Sequence, residues 1–156
     1  MEKFVTILII IFSLVSCGVP KIVTTSASQY EKEVEAPGTK QEIYVRSNEW
    51  MVKMFNDAKS VIQFQDKEQG TIIGKYLLHS TKIPVGYGME VGDDIFAVIK
   101  IMVKDNRAKI IIEPQGAWKY GQQGIYTLDY SPEMAESDIN NLIKDFRDFI
   151  IKTNEW

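Results

Sequence analysis

The sequence predicts an α+β domain in which one antiparallel sheet carries two helices packed on one face. Three observations lead there. Two stretches, residues 39–56 and the C-terminal segment from Ser131, repeat apolar residues at helical spacing. Between them, residues 60–78 and 95–113 each read as two β-rich runs about a short turn, which is the pattern of hairpins. A run of strands bounded by amphipathic helices buries its apolar sides as two layers, helices on sheet.

Residues 1–16 have the parts of a secretory signal: Lys3 in a short n-region, the apolar run FVTILIIIFSLV, then small residues. A run of about 12 residues is too short to cross roughly 30 Å of hydrocarbon as a helix, which takes about 20. It therefore reads as a removed signal peptide. The single cysteine, Cys17, follows directly. Leu14-Val15-Ser16-Cys17 resembles a bacterial lipobox, and the resemblance implies a diacylglyceryl thioether on Cys17, cleavage before it, and acylation of the new amine. Each buried CH₂ contributes about 0.8 kcal/mol, so two or more chains anchor stably. The alternative is a secreted chain with an unmodified Cys17, an odd outcome for a thiol with no second cysteine to pair with. By resemblance to sorting rules, Gly18 in place of Asp favours the outer membrane. GVPKI lacks the acidic cluster of surface-exported chains, which favours the leaflet facing the periplasm. Residues 17–29, rich in small and hydroxyl side chains, read as the lipidated N-terminus and tether, and 30–156 as one domain.

Within the domain, Tyr30 to Glu35 is a short, highly charged run that suits an edge strand. Pro37-Gly38 breaks it, and Thr39 with Glu42 supplies a capping box. Ile43, Ser47, Trp50, Met51, Met54, Phe55 and Ala58 then recur at helical spacing, so a helix is expected over residues 39–56 with Trp50, Met51 and Met54 facing a core. A Met and aromatic stripe of this kind is core packing rather than a cofactor site. Residues 60–78 predict a hairpin about the turn DKEQG. Alternation places Ile62 and Phe64 on one face, and Ile72, Tyr76 and Leu78 opposite Thr71, Ile73 and Lys75. Residues 95–104 and 107–113 predict a second hairpin, with Ala108, Ile110 and Ile112 on the dry side and Arg107, Lys109 and Glu113 on the wet side. Residues 79–94 and 114–132 read as irregular. The closing helix starts at Ser131-Pro132-Glu133 or at Ser137, and its apolar face is Ile139, Leu142, Ile143, Phe146, Phe149 and Ile150.

Residues 36–75, with the Gly38 turn, the Trp50 helix, Lys59-Ser60-Val61-Ile62, Asp66 through Gly70 and Ile72-Ile73-Gly74-Lys75, resemble a family of exported bacterial proteins and lipoproteins, a domain of unknown function with a TBP-like fold. VKDNRAKIIIE, residues 103–113, is similar to the family's second hairpin, with Asn106 in place of an expected Gly and Ala108 departing from a bulkier pattern. The resemblance covers about residues 30–113. It implies a curved sheet with both helices on its convex side and carries over no catalytic residue.

Hydrophobic residues make up 45% of the chain, charged residues 25%, and the formal net charge is −3. It stays at −3 when residues 1–16 are set aside, because they hold one base, Lys3, and one acid, Glu2. This balance argues against nucleic acid as a partner, since phosphate neutralisation needs clustered Lys and Arg. With one histidine, His79, and no cysteine free after lipidation, a zinc site is not expected. His79 also lacks a G-x-S-x-G nucleophile elbow. Asp66 and Glu68 suit turn chemistry, and Glu90, Asp93 and Asp94 lack cation-loop spacing. No metal, cofactor or catalytic residue is expected. If the wet side of 107–113 stays open, Arg107 and Lys109 would share it with Lys75, Lys100 and Lys104, giving a basic stripe for an acidic peptide, a glycan or a lipid headgroup. Solvation of an open sheet is the plainer role for these residues. The aromatic stretch with Trp118, Tyr120, Tyr126 and Tyr130 is the second candidate contact surface. The leading expectation is a membrane-anchored envelope lipoprotein, a binding or structural module that meets an envelope protein, peptide or glycan through its open sheet face or aromatic loop. The alternatives are a carboxylate-dependent hydrolase using Asp66, Glu68, Asp93 or Asp94, and a carrier with an apolar pocket between sheet and helices.

Overall fold

The computed structural model describes residues 29–56, 60–115 and 130–152, and the backbone of short strands at 25–26, 117–118, 121–123 and 126–128. Cys17, Ala58 and Tyr120 lie outside the described residues, and Trp118 and Tyr126 are described by backbone alone.

In chain order the elements are β1 (Thr25–Ser26), β2 (Tyr30–Glu35), α1 (Lys40–Met54), β3 (Val61–Asp66), β4 (Thr71–Ser80), β5 (Ile83–Gly86) and β6 (Met89–Val91). They continue with β7 (Asp94–Lys104), β8 (Arg107–Gln115), β9 (Ala117–Trp118), β10 (Gly121–Gln123), β11 (Tyr126–Leu128) and α2 (Pro132–Ile151). Five strands form one antiparallel sheet in the order β2-β8-β7-β4-β3. The pairs β1–β9, β5–β6 and β10–β11 stand beside it as two-stranded ladders.

Alternate residues of the three inner strands point to the helices. Ala97, Ile99, Ile101 and Val103 of β7, Ala108, Ile110 and Ile112 of β8, and Ile72 of β4 join Ile43, Trp50 and Met51 of α1 and Ile139, Leu142, Phe146 and Ile150 of α2 in one buried cluster. Trp50 meets Phe146 edge-on at 5.0 Å between ring centroids, and its Nε1 donates to Asp145 at 2.8 Å. Gly74 lies beneath the Phe55 ring, and a Cβ there would overlap that ring and sit 2.8 Å from the Met51 Cε. The missing side chain is what lets α1 sit down on β4.

The capping box forms as the sequence predicts. The Thr39 hydroxyl accepts from the Glu42 amide, and the Glu42 carboxylate accepts from the Thr39 amide at 2.7 Å. Those bonds from Thr39 hold the Glu42 carboxyl below the usual range. The cap is therefore intact at neutral pH and is lost as pH falls through that lowered value. Of the two possible starts of α2, Ser131 is the one used: its hydroxyl accepts from the Met134 amide at 3.3 Å, with Pro132 in the first turn.

Three expectations change. Pairing shifts between Ile62 and Phe64, so an extra residue, Gln63, is accommodated in β3 and Phe64 comes to lie opposite Ile73. Ile62 packs on the core, whereas Phe64 faces away from the helices and is 49% exposed. Residues 79–94 are not irregular throughout: β4 and β7 extend into them, and β5–β6 forms a hairpin. Residues 114–132 likewise contain the end of β8 and strands β9 to β11. Asn106, where the resemblance leads one to expect Gly, takes a left-handed φ of 59°. Its side chain accepts from the Gly38 amide at 3.4 Å, and its amide donates to the Gly38 carbonyl at 3.0 Å, which joins the β7–β8 turn to the start of α1. Glycine would adopt the turn but would lose the side-chain bond.

Ser47 is fully buried on α1, and its hydroxyl has no partner among the described residues. Ser47→Ala is expected to raise stability by about 0.5–1 kcal/mol, through helix propensity and removal of an unpaired hydroxyl, and a thermal melt reads this directly.

Candidate functional site

Both helices pack on one face of the sheet, which leaves the other face to the opposite set of alternating side chains. Register fixes who meets whom there. One row runs Glu33, Lys109, Met102, Thr71, Asp66 across the five strands, and the next runs Glu31, Ile111, Lys100, Ile73, Phe64. A third sets Glu113 beside Val98, Lys75 and Val61. Lys104 pairs with Arg107 at the near end, and Phe96 with Leu77 at the far end.

All five cations expected on the wet side are thus on one face. They are not equivalent. Arg107 reaches Glu33 at 3.1 Å and Lys109 reaches Glu31 at 2.8 Å, so the acids of edge strand β2 neutralise both. These pairs are well exposed, and exposed pairs contribute roughly 0.2–1 kcal/mol each, enough to orient side chains but little for stability. Lys75 holds its ammonium 3.9 Å above the Phe96 ring. Lys100 and Lys104 have no ion-pair partner among the described residues. What the sequence reads as a stripe of five charges is a pair of neutralised cations at the β2 edge, Lys75 and Lys100 set in an apolar field, and Lys104 exposed opposite Arg107 beside the β7–β8 turn. That field consists of Ile73, Val98 and Met102 in partial contact with solvent, with Val61 and Phe64 about half exposed at the β3 edge.

Other sequence candidates separate. The Asp66 carboxylate accepts from the Gln69 amide at 2.7 Å, which is turn chemistry. Asp94 accepts from the Ser80 hydroxyl at 2.7 Å and pairs with Lys82 at 3.0 Å. Asp66 is opposite Thr71 and Asp94 opposite Ser80, so the carboxylates lie at the two ends of β4. The His79 ring stacks on Tyr130 at 4.3 Å, and the Tyr130 hydroxyl donates to Asp138 at 2.9 Å. Burial, with Asp138 beside it, raises the Tyr130 phenol well above its ordinary value and keeps it protonated. An open cleft of about 540 Å³ lies between α1, α2 and β4, with Met54, Tyr76, Leu78 and Leu142 as its apolar lining and Lys53, Asp138, Asn141 and Asp145 as its polar lining.

This architecture can be set against known proteins. The profile of a family described as a "Domain of unknown function (DUF4468) with TBP-like fold" matches residues 30–114, from the start of β2 to the penultimate residue of β8. The chain belongs to the DUF4468 family. A crystal structure of a TBP-like protein from Parabacteroides distasonis ATCC 8503 is similar at 17% identity and a TM-score of 0.51, covering 81% of this chain and 94% of that one. A DUF4468 family protein from Bacteroides ovatus ATCC 8483 is similar at 18% identity and a TM-score of 0.45, covering 80% and 84%. Among curated protein sequences none matches. The likeness establishes the fold of this DUF4468 domain, α+β with a five-stranded antiparallel sheet and two helices, and leaves function to the site itself.

Two features of the DUF4468 domain escape a reading of its sequence. Phe64 joins the open face only because of the bulge at Gln63, which period-two counting cannot register. The β5–β6 hairpin, with Tyr87 at its tip, leaves only a weak signal, the β-branched Ile83, Val85 and Val91 about the turn Gly86-Tyr87-Gly88.

Proposed function

We propose that this DUF4468 protein is a lipid-anchored envelope module, tethered through Cys17 at the periplasmic face of the outer membrane. Its open sheet face binds an extended segment of an envelope protein that carries acidic and apolar side chains. The observation supporting this most is Lys100, set between Ile73 and Ile111 with no ion-pair partner among the described residues. A carboxylate there would meet an unneutralised cation, while flanking side chains cover Ile73, Met102 and Phe64. With its net charge of −3, the chain gains nothing from bulk attraction to nucleic acid.

A photo-crosslinking residue at Met102 of the full chain, in its own cells, tests this. An adduct is expected at Met102, weakened in the Lys75→Glu/Lys100→Glu variant and absent from a probe at Lys144 on the exposed side of α2. Phe64→Ser is expected to weaken the same adduct while changing stability by less than about 0.5 kcal/mol. Adducts at Met102 and Lys144 that are alike, or indifferent to the charge reversal, would remove the sheet face from the account.

The cleft between α1, α2 and β4 favours a second reading, carriage of an apolar ligand against Tyr76 and Leu142. Organic extraction of the purified protein followed by mass spectrometry distinguishes it, since only a carrier yields a stoichiometric lipid beyond the one on Cys17.

A further inference from the structure

The β5–β6 hairpin is built as a projection with a fixed root. Among the described residues its two strands pair only with each other. At its root the Thr81 amide and hydroxyl donate to the Asp93 carbonyl at 2.9 and 3.0 Å, and the same hydroxyl accepts from the Asp93 amide at 2.9 Å. Lys82 and Ser80 both hold Asp94. At the tip, Gly86, Tyr87 and Gly88 take φ values of 97°, 50° and 74°. Three successive left-handed residues are unremarkable for the glycines but unfavourable for a residue with a Cβ. The result is that Tyr87 is fully exposed at the tip, with exposed Met89 two residues on, while Ile83, also exposed, pairs with Val91 at the base of the hairpin. Residues 83–89 carry no charge, so the tip is apolar with one phenol at its end.

Position supplies the occupant. Ser80 is opposite Asp94, Phe96 opposite Gln115, and Tyr30 opposite Ile112, so the hairpin leaves the sheet at the end where the N-terminal segment joins β2. The β3–β4 and β7–β8 turns are at the other end. Thr25 and Ser26 are paired with Trp118 and Ala117, within one residue of the β2–β8 register, so the N-terminal segment continues out past that same end. Residues 18–24 separate Cys17 from β1, and seven residues reach at most about 25 Å.

We propose that the hairpin tip rests in the interfacial layer of the bilayer to which Cys17 tethers the chain, with Tyr87 at headgroup level and Met89 beside it. This rests on the lipid-anchor reading above. A short tether brings the hairpin end of the sheet to the membrane. An uncharged tip bearing a tyrosine has the chemistry of the interface, where an apolar ring and a polar hydroxyl are both accommodated. The contact turns the sheet end-on to the bilayer and leaves the open face clear of lipid. Because the tip is uncharged, it needs no anionic lipid.

The lipidated full chain in phosphatidylcholine vesicles tests this. Its cysteine sulfur is a thioether, so Tyr87→Cys, or Met89→Cys in a second variant, supplies the only free thiol for an environment-sensitive fluorophore. The expected result is blue-shifted emission at both positions, lost when nitroxide-labelled lipid is included, with neither effect at Glu68→Cys on the opposite end. Emission at 87 and 89 matching that at 68 on floating vesicles overturns the hairpin contact and leaves the anchor standing. A blue shift insensitive to nitroxide lipid overturns it in favour of docking on protein. A chain that takes label at Cys17 and does not float overturns the anchor and the hairpin contact together.

Discussion

Trp50→Ala is expected to destabilise the domain by about 3–5 kcal/mol, the range for emptying a buried aromatic site. Trp50 is fully buried, touches Phe146 edge-on from the other helix, and ties its indole N–H to Asp145. Truncation therefore opens a cavity where both helices meet the sheet and also leaves Asp145 without its donor. With net stabilities of about 5–15 kcal/mol typical of such domains, the variant should still fold but melt roughly 10–20 °C lower. Trp50→Phe keeps most of the packing and loses the hydrogen bond, so its melting point should fall between the two. A melt for Trp50→Ala within a few degrees of the natural chain would show that the two helices are not held through this contact.

Arg46→Met should cost about 2–3 kcal/mol, the range for stranding buried carbonyls that a charged donor had satisfied. Arg46 is buried on α1, yet its guanidinium serves backbone oxygens from two other parts of the chain. It donates to the Ile150 carbonyl at 2.6 Å and the Lys152 carbonyl at 3.3 Å, and also to the Pro37 carbonyl. The first two belong to the C-terminal end of α2, where carbonyls have no partner within the helix and the dipole favours a cation. Methionine preserves the apolar stem, so the loss reports on those bonds. Hydrogen exchange separates this variant from Trp50→Ala: faster exchange should concentrate in the last turn of α2 for Arg46→Met and spread through the core for Trp50→Ala. Arg46→Lys should behave like methionine, because one ammonium cannot span carbonyls that a planar fork reaches.

Much of the fold is legible in the sequence wherever a periodic pattern coincides with a single buried face. The stripe from Ile43 to Met54, the alternation of Ala108, Ile110 and Ile112, and the α2 face from Ile139 to Ile150 are of this kind, and all of them meet in one core. The Thr39–Glu42 capping box is legible because its partners are three residues apart. Legibility fails where geometry depends on one inserted residue or on distant chain. The bulge at Gln63 reverses the face of Phe64. The β5–β6 hairpin is interrupted by glycines, which carry no hydropathy signal. The Arg107–Glu33 pair joins residues 74 apart, so neutralisation of the basic stripe emerges only once β2 is placed beside β8.

The candidate site shows the same division. Alternation alone places Lys75, Lys100, Lys104, Arg107 and Lys109 on one face, and the structure then separates them by their neighbours: carboxylates for Arg107 and Lys109, a ring for Lys75, and apolar side chains around Lys100. The binding reading depends on that distinction, because an unneutralised cation in an apolar setting selects a partner that combines a carboxylate with hydrophobic surface.

Anchoring at Cys17 underlies both the proposed module and the orientation inferred for its hairpin. The most direct measurement is the intact mass, with N-terminal peptide sequencing, of the full chain expressed in an export-competent bacterium and extracted from membranes. The expected product is a mature chain beginning at Cys17, with a diacylglyceryl thioether and an acylated amine. A chain that retains residues 1–16, or one that begins near Cys17 with a free thiol, would contradict it.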